Sequence, residues 1–316
     1  MKTTTKRILA LFLACLAGLG LASCALAPEE AETTAAKTTA AETTTPETTG
    51  EGGTTAPETT VPATEVPEPE PIVLKIVSMN AQNADYDRSG EPTLESKHQK
   101  LAAAIDAKAP DLVLLQECNA EAAEGIRAKL KKPSEYGVVT AANTTATLLY
   151  DKTTFLLQAQ GSRKIGEKDD EDGSKYDRWF VWAQFRHKAS DLTLIAAPIH
   201  VDYVTKACKA QLNRIVEYLK TNFPKIPFIL GGDFNAEMGT VSATSLTTEG
   251  YLDARTTAEE KIHGDETTYP EKSQIIDFVW YKGGMIYGAK AKTYEVITDA
   301  LPTDHRPICV ELVLER

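Results

Sequence analysis

Six short runs in this chain place carboxylate, amide and imidazole groups at the points where apolar segments end. They are Asn80, Gln116-Glu117, His200-Val201-Asp202, Gly231-Gly232-Asp233-Phe234-Asn235, Asp277 behind Ile275-Ile276, and Thr303-Asp304-His305-Arg306-Pro307. Such groups accept or donate protons and hydrogen bonds, and the end of a buried strand gives them both a rigid support and an open rim. The glycine-rich run is the most informative. Glycine lets the backbone turn sharply and approach a ligand closely. On an extended segment Asp233 and Asn235 share a side while Phe234 points the other way. Each run has a plainer reading when taken alone. Gly232–Asn235 could be a polar turn closing a strand, Glu117 a strand end meeting solvent, Asp277 a solvated strand residue, and Asp304-His305 a surface turn. Their occurrence in one chain in this order weakens every plain reading.

The elements that must position these groups can be read from periodicity. Ile72–Met79 is β-branched and loosely alternating, which predicts a strand. Leu94–Ala109 has helical spacing and is stopped by Pro110. Asp111–Gln116 encloses a short, fully apolar run typical of a buried strand. Asn119 is placed to cap a helix running to about Lys131. Further strands are predicted at Val138–Val139, Ala146–Tyr150, Phe155–Ala159, Trp179–Phe185 and Leu192–Pro198. Thr205–Thr221 is an amphipathic helix through Leu212, Ile215, Val216 and Leu219. Ile226–Leu230 is a buried strand closed by Gly231-Gly232. After a long irregular stretch, Ile275–Tyr281, Ile286–Tyr294 and Pro307–Leu314 complete the set. Strands outnumber helices and do not alternate strictly with them, which points to two packed sheets with helices outside.

The chain has 316 residues and a formal net charge of −11, and that charge is unevenly spread. Residues 1–24 hold three basic groups and no acid, whereas residues 25–71 hold ten Glu and one Lys, so about half of the excess acidity sits before residue 72. The remaining domain, 72–316, is only mildly acidic and exerts no general pull on nucleic acid or anionic membrane. Met1–Arg7 is basic and Ile8–Leu21 apolar, too short for a comfortable bilayer span and suited to a secretory signal. It ends in Leu21-Ala22-Ser23-Cys24, which resembles a bacterial lipoprotein box and implies lipidation at Cys24. Residues 25–71 are rich in Thr, Glu, Pro and Ala and lack aromatics, so they are expected to stay unfolded as a stalk. Cys118, Cys208 and Cys309 remain. Three is an odd number, and a core this long needs no disulfide staples; we expect three buried, inert thiols, with one bridge plus one unbridged thiol as the alternative.

Asn80, Pro110-Asp111-Leu-Val-Leu-Leu-Gln116-Glu117, His200, Gly232-Asp233-Phe234-Asn235, Ile276-Asp277-Phe278 and Thr303-Asp304-His305-Arg-Pro together resemble the endonuclease/exonuclease/phosphatase superfamily. The resemblance spans Ile72–Glu315 and includes Gln211 and Tyr251-Leu252-Asp253-Ala254. It implies an α/β fold, a four-layer sandwich of two packed, mostly antiparallel β-sheets flanked by helices. It also implies hydrolysis of phosphate esters with Mg²⁺ or Mn²⁺. In that scheme Glu117 is the direct metal ligand, with Asn80 and Asp304 close to the ion, and the metal neutralises phosphoryl charge. His305, oriented by Asp277, helps to activate water. Asp233 positions or deprotonates that water, and which of Asp233 and His305 is the base stays open. Asn235 holds a phosphoryl oxygen, His200 donates to the phosphate or leaving oxygen, and Arg178 contacts phosphate. Where the family often has Asn-Thr-His-Leu this chain has Pro198-Ile199-His200-Val201, which bears on substrate class.

The expected function is therefore hydrolysis of a phosphate mono- or diester outside the cytoplasm by a membrane-anchored, monomeric lipoprotein. The substrate would be a small molecule, a lipid headgroup or DNA. An extracellular endonuclease is the first alternative and would need a basic or aromatic groove. A non-catalytic surface module binding phosphorylated ligands is the alternative of another class.

Overall fold

The computed structural model describes residues 69–83, 93–240 and 243–316. The leader, Cys24 and the tether up to residue 68 lie outside the described residues. In chain order the first part comprises β1 (Ile72–Asn80), α1 (Leu94–Lys108), β2 (Leu112–Gln116), α2 (Ala120–Ala128), β3 (Tyr136–Val139) and β4 (Thr147–Asp151). Then come β5 (Phe155–Gly166), β6 (Arg178–His187), β7 (Thr193–His200), α3 (Thr205–Asn222) and β8 (Phe228–Asp233). Short pieces follow: α4 (Thr244–Thr248), β9 (Leu252–Asp253), α5 (Ala254–Thr257) and β10 (Glu260–Ile262). The chain ends with β11 (Asp277–Lys282), β12 (Gly288–Val296) and β13 (Ile308–Glu315). One sheet has seven strands in the order β10-β12-β13-β1-β2-β4-β3, and the other has six in the order β5-β6-β7-β8-β11-β9. Most pairings are antiparallel; β1–β2, β7–β8 and β10–β12 are parallel.

The layers follow from the period-2 alternation of the strands. In β1, Leu74 and Ile76 enter the core between the sheets while Val77 and Met79 face α1 and α2. In β8, Ile229 faces the other sheet, whereas Phe228 and Leu230 pack under α3. In β11, Val279 and Tyr281 point inward and Phe278 and Trp280 outward. The result is helix, sheet, sheet, helix, as expected. Thr93 and Asn119 cap α1 and α2, accepting from Ser96 N and Ala122 N, so each helix start satisfies a backbone donor that would otherwise be orphaned.

Boundaries differ most where strands reach the site. The chain does not leave β8 at Gly231-Gly232; pairing continues through Asp233, which lies opposite His200 of β7 and Asp277 of β11. Two neighbours extend this strand beyond what its own apolar run indicates. Gly232 is required there, because a Cβ would lie 1.9 Å from the Ile199 carbonyl oxygen. Gly231 lets the sheets meet, since a Cβ would sit 2.5 Å from Leu114 Cδ1. Likewise β7 runs through His200 rather than stopping at Pro198, β5 extends to Gly166, and β11 begins at Asp277 rather than Ile275.

Candidate active site

The same alternation that packs the core delivers four polar side chains to one place. Asn80 has the parity of Leu74 and Ile76, His200 that of Leu194 and Ala196, and Asp233 and Asp277 those of Ile229 and Val279. All four therefore point between the sheets at their open end. Asp233 is the hub. Its Oδ2 accepts from Asn80 Nδ2 at 3.1 Å, which joins the two sheets. The same oxygen lies 3.7 Å from His200 Nε2 and 3.9 Å from His305 Nε2. Its Oδ1 accepts from the backbone N–H of Asn235 at 2.9 Å. His305 comes from the loop before β13, and its Nδ1 lies 2.9 Å from Asp277 Oδ2. Asn80, Asp233, Asp277, His200 and His305 are all buried.

Charge placement gives these groups distinct characters. Burial pushes the Asp233 carboxyl up, the Asp277 charge adds to this, and His305, the Asn235 N–H and Arg178 offset it in part, leaving it at about 7. Burial alone would lower His305. The charge and hydrogen bond of Asp277 override that, helped by Asp233 and Asp304, and hold the imidazole up at about 10. His200 moves the opposite way, well below the ordinary histidine value, through burial and then the charges of Arg178 and His305. Arg178 Nη1 contacts His200 Nδ1 at 3.2 Å. A guanidinium only donates, so Nδ1 accepts and the neutral ring carries its proton on Nε2, on the side of Asp233. Three groups within 4 Å thus form a carboxyl near neutrality, a cation and a neutral donor.

Glu117, Asp304, Arg178 and Asn235 line the same cleft, of about 580 Å³, with Asn83, Tyr176, Tyr203, Tyr269 and Lys272. Glu117 is not carried there by strand parity. It follows β2 in the left-handed region at φ 50°, which turns it off the helix-facing side, and its Oε2 accepts from Asn83 N at 2.9 Å. Asp304 Oδ1 is buried and accepts no hydrogen bond. Asn235 also has positive φ, 48°, and its Nδ2 donates to the Val201 carbonyl. Every predicted site residue within the described residues is brought to this cleft or, for Asn80 and Asp277, directly behind it.

Several residues support the site from behind, and of these Tyr269, Thr268 and Ser174 carry no sequence signal strong enough to single them out. Tyr269 stacks on His305, with ring centroids 4.7 Å apart and planes 18° apart. Thr268 Oγ1 accepts from the N–H groups of Ile276 and Asp277 and fixes the start of β11. Thr303 Oγ1 donates to the Asn80 carbonyl and accepts from His305 N, tying the histidine loop to β1. Asp202, fully buried, accepts from Ser174 Oγ and from the N–H groups of Lys175, Tyr176 and Val204. It holds the segment that delivers Tyr176 and Arg178. Gln211 backs it, accepting from Asp202 N and donating to Ser174 Oγ, so its work is structural. Asp253 is structural too, capping α5 through the N–H groups of Arg255 and Thr256.

The family model described as Endonuclease/Exonuclease/phosphatase family matches residues 77–305, a range bounded by β1 and His305. The chain belongs to the endonuclease/exonuclease/phosphatase family. Its members are hydrolases acting on phosphate esters. Solved structures agree on the fold. An endonuclease/exonuclease/phosphatase from Bacteroides vulgatus is 22% identical with a TM-score of 0.66, covering 77% of this chain and 100% of its own. The mannosyl-6-phosphatase of Bacteroides thetaiotaomicron is 20% identical with a TM-score of 0.65, covering 76% and 99%. D. rerio TDP2, complexed with a single-strand DNA product, is 14% identical with a TM-score of 0.58, covering 76% and 98%. No curated protein sequence matches the chain.

Proposed function

We propose that this family member is a divalent-metal-dependent phosphoesterase that acts on a small ester while tethered to the outer face of a membrane through Cys24. The observation that carries the reading is Asp233, held by Asn80 and Asn235 and faced by His200 and His305. Asp233 accepts the proton of the attacking water, since a carboxyl near 7 is matched to that task at neutral pH. His305, kept cationic by Asp277, and the Nε2–H of His200 stabilise charge that develops on the phosphoryl oxygens. Arg178 fixes the His200 tautomer, and the Asn235 side chain orients the phosphoryl group. As water bonds to phosphorus the ester P–O bond breaks, and the departing oxygen takes a proton from the Nε2–H of His305 or from solvent to leave as an alcohol, with phosphate (or, from a diester, a monoester) as the other product. Asp304 Oδ1, a buried acceptor without a donor, and the Glu117 carboxylate in the same cleft fit a hard cation. Among the described residues no group of three or more His, Cys, Asp or Glu is arranged to hold a metal, so such an ion would keep several waters. When bound, Mg²⁺ or Mn²⁺ would supply Lewis-acid neutralisation of phosphoryl charge.

The cleft lining supports a small ester over DNA. Among the described residues, Arg178 and Lys272 are the only Arg or Lys in its lining, against Glu117, Asp177, Asp233 and Asp304, and a strand-binding groove needs a positive track. Exposed Tyr176 and Tyr203 are the features on which a base could stack. The test is phosphate or nitrophenol release from nitrophenyl mono- and diesters, with plasmid nicking alongside, in Mg²⁺ and in EDTA. Metal-dependent ester turnover without nicking is expected. Nicking in preference to small esters would favour the endonuclease reading, and ligand binding without turnover of any ester would favour the non-catalytic one.

A further inference from the structure

The catalytic cleft continues into a second recess of about 400 Å³ that shares Tyr203, Asn235, Tyr269, Lys272 and Ile276 with it and adds Glu237 and Gln274. That size lies in the range of about 300–1,000 Å³ typical of small-molecule sites. We propose that this recess is the leaving-group subsite and that it takes a polyhydroxylated ring, a sugar or a cyclitol, as the alcohol part of the ester. The inference rests on the phosphoesterase reading and deepens it.

Three observations carry it. First, the recess opens beside Asn235, next to Asp233, so a group seated there is joined directly to the phosphoryl position. Second, its polar lining is not used up by protein contacts: Tyr269 and Gln274 are half-buried, Glu237 and Lys272 are exposed at its rim, and among the described residues none of these four side chains makes a hydrogen bond or ion pair to the protein. This set mixes acceptors with donors, which suits hydroxyl groups, each of them both donor and acceptor. Third, the aromatic rings are arranged against a flat base. Tyr269 carries the His305 imidazole stacked on its ring and the exposed Lys272 ammonium 5.3 Å from its centroid, so its ring is already engaged and it offers its hydroxyl. Tyr203 meets Tyr176 edge-on, at 67° and 6.3 Å, so these two rings form no parallel slot. The exposed Tyr203 ring remains as a single platform for the C–H face of a saturated ring.

The full chain would be assayed in Mg²⁺ on nitrophenyl mono- and diesters, a hexose 6-phosphate, myo-inositol 1-phosphate, glycerophosphoinositol and a nucleoside 5′-monophosphate. We expect at least one polyol ester to exceed the nitrophenyl ester and the nucleotide about tenfold in kcat/KM. In an E237A/Q274A double variant, the ratio of kcat/KM for that polyol ester to the nitrophenyl ester should fall about tenfold, chiefly through KM. Nitrophenyl turnover without any polyol preference, preference for the nucleotide, or an unchanged ratio in the double variant overturns the subsite alone. No turnover of any ester overturns the phosphoesterase reading, and the subsite falls with it.

Discussion

The Asp233 carboxylate meets Asn80 at the end of β1 and both site histidines, so its replacement tests proton transfer at the hub of the site. Asp233→Asn keeps the shape and the contact to the Asn235 N–H, loses the acceptor facing Asn80 Nδ2 and cannot accept a proton; kcat should fall by about 10²–10⁴-fold, the usual worth of a general base, at temperatures well below a moderately lowered thermal midpoint. A fall of less than tenfold would give the base role to another group. His200 makes a second prediction through linkage. Its native pKa lies well below that of the unfolded ring, near 6.5, so below pH 6.5 the unfolded chain binds a proton that the native chain refuses. This contribution to stability is intact above pH 6.5 and declines as pH falls toward the native value, by up to about 1.4 kcal/mol per pH unit. Denaturant titrations at pH 7.5 and 5.5 should show the wild type losing about 1 kcal/mol more than His200→Gln. Equal losses would mean that His200 ionises in the native state.

Two connections carry the burden at the level of elements. The first is the β7–β8 contact at Gly232, where a side chain has no space against the Ile199 carbonyl. Gly232→Ala must push β8 away from β7 and carry Asp233 off Asn80. We expect a loss of at least about 2 kcal/mol, read as a thermal midpoint lower by about 4 °C or more, with activity lost in parallel. The second is the buried Asp202 carboxylate, which holds Ser174, Lys175 and Tyr176 and so aims Arg178 at His200. Asp202→Asn leaves the catalytic groups in place but loosens their phosphate-facing wall. KM for a small ester should rise several-fold while kcat changes less, and a change confined to kcat would contradict this positioning role.

Taken whole, the domain is closed by apolar packing with no disulfide, and its thiols report on that closure. Cys118, Cys208 and Cys309 form no disulfide and are buried, and burial pushes the Cys309 thiol up to about 12. An aromatic disulfide reagent should label none of the three in the native domain and all of them in guanidinium chloride; rapid native labelling would show local opening. Much of this organisation was legible in residue order. Period-2 apolar runs follow from burial of strand faces, so they located the strands and put Asn80, Glu117, His200 and Asp233 at strand ends, with Asp277 inside a strand, and the motif spacing pointed to the family. The odd thiol count and long core pointed to buried thiols outside any disulfide. What local pattern could not express is contact across the interface between sheets. That Asp233 bonds to Asn80 over 153 positions of chain, that Arg178 sets the His200 tautomer, and that Tyr269 covers His305 depend on where two sheets meet. So do the full lengths of β5, β7 and β8, because neighbouring strands extend a ladder past its own apolar run. Sequence by itself determined which strand residues share a face, since alternation is a property of one strand; it did not carry Glu117, turned by a positive φ, or His305, which comes from a loop. The tertiary structure alone decided which of them touch, because charge and hydrogen bonding act over a few ångströms of space and take no account of distance along the chain.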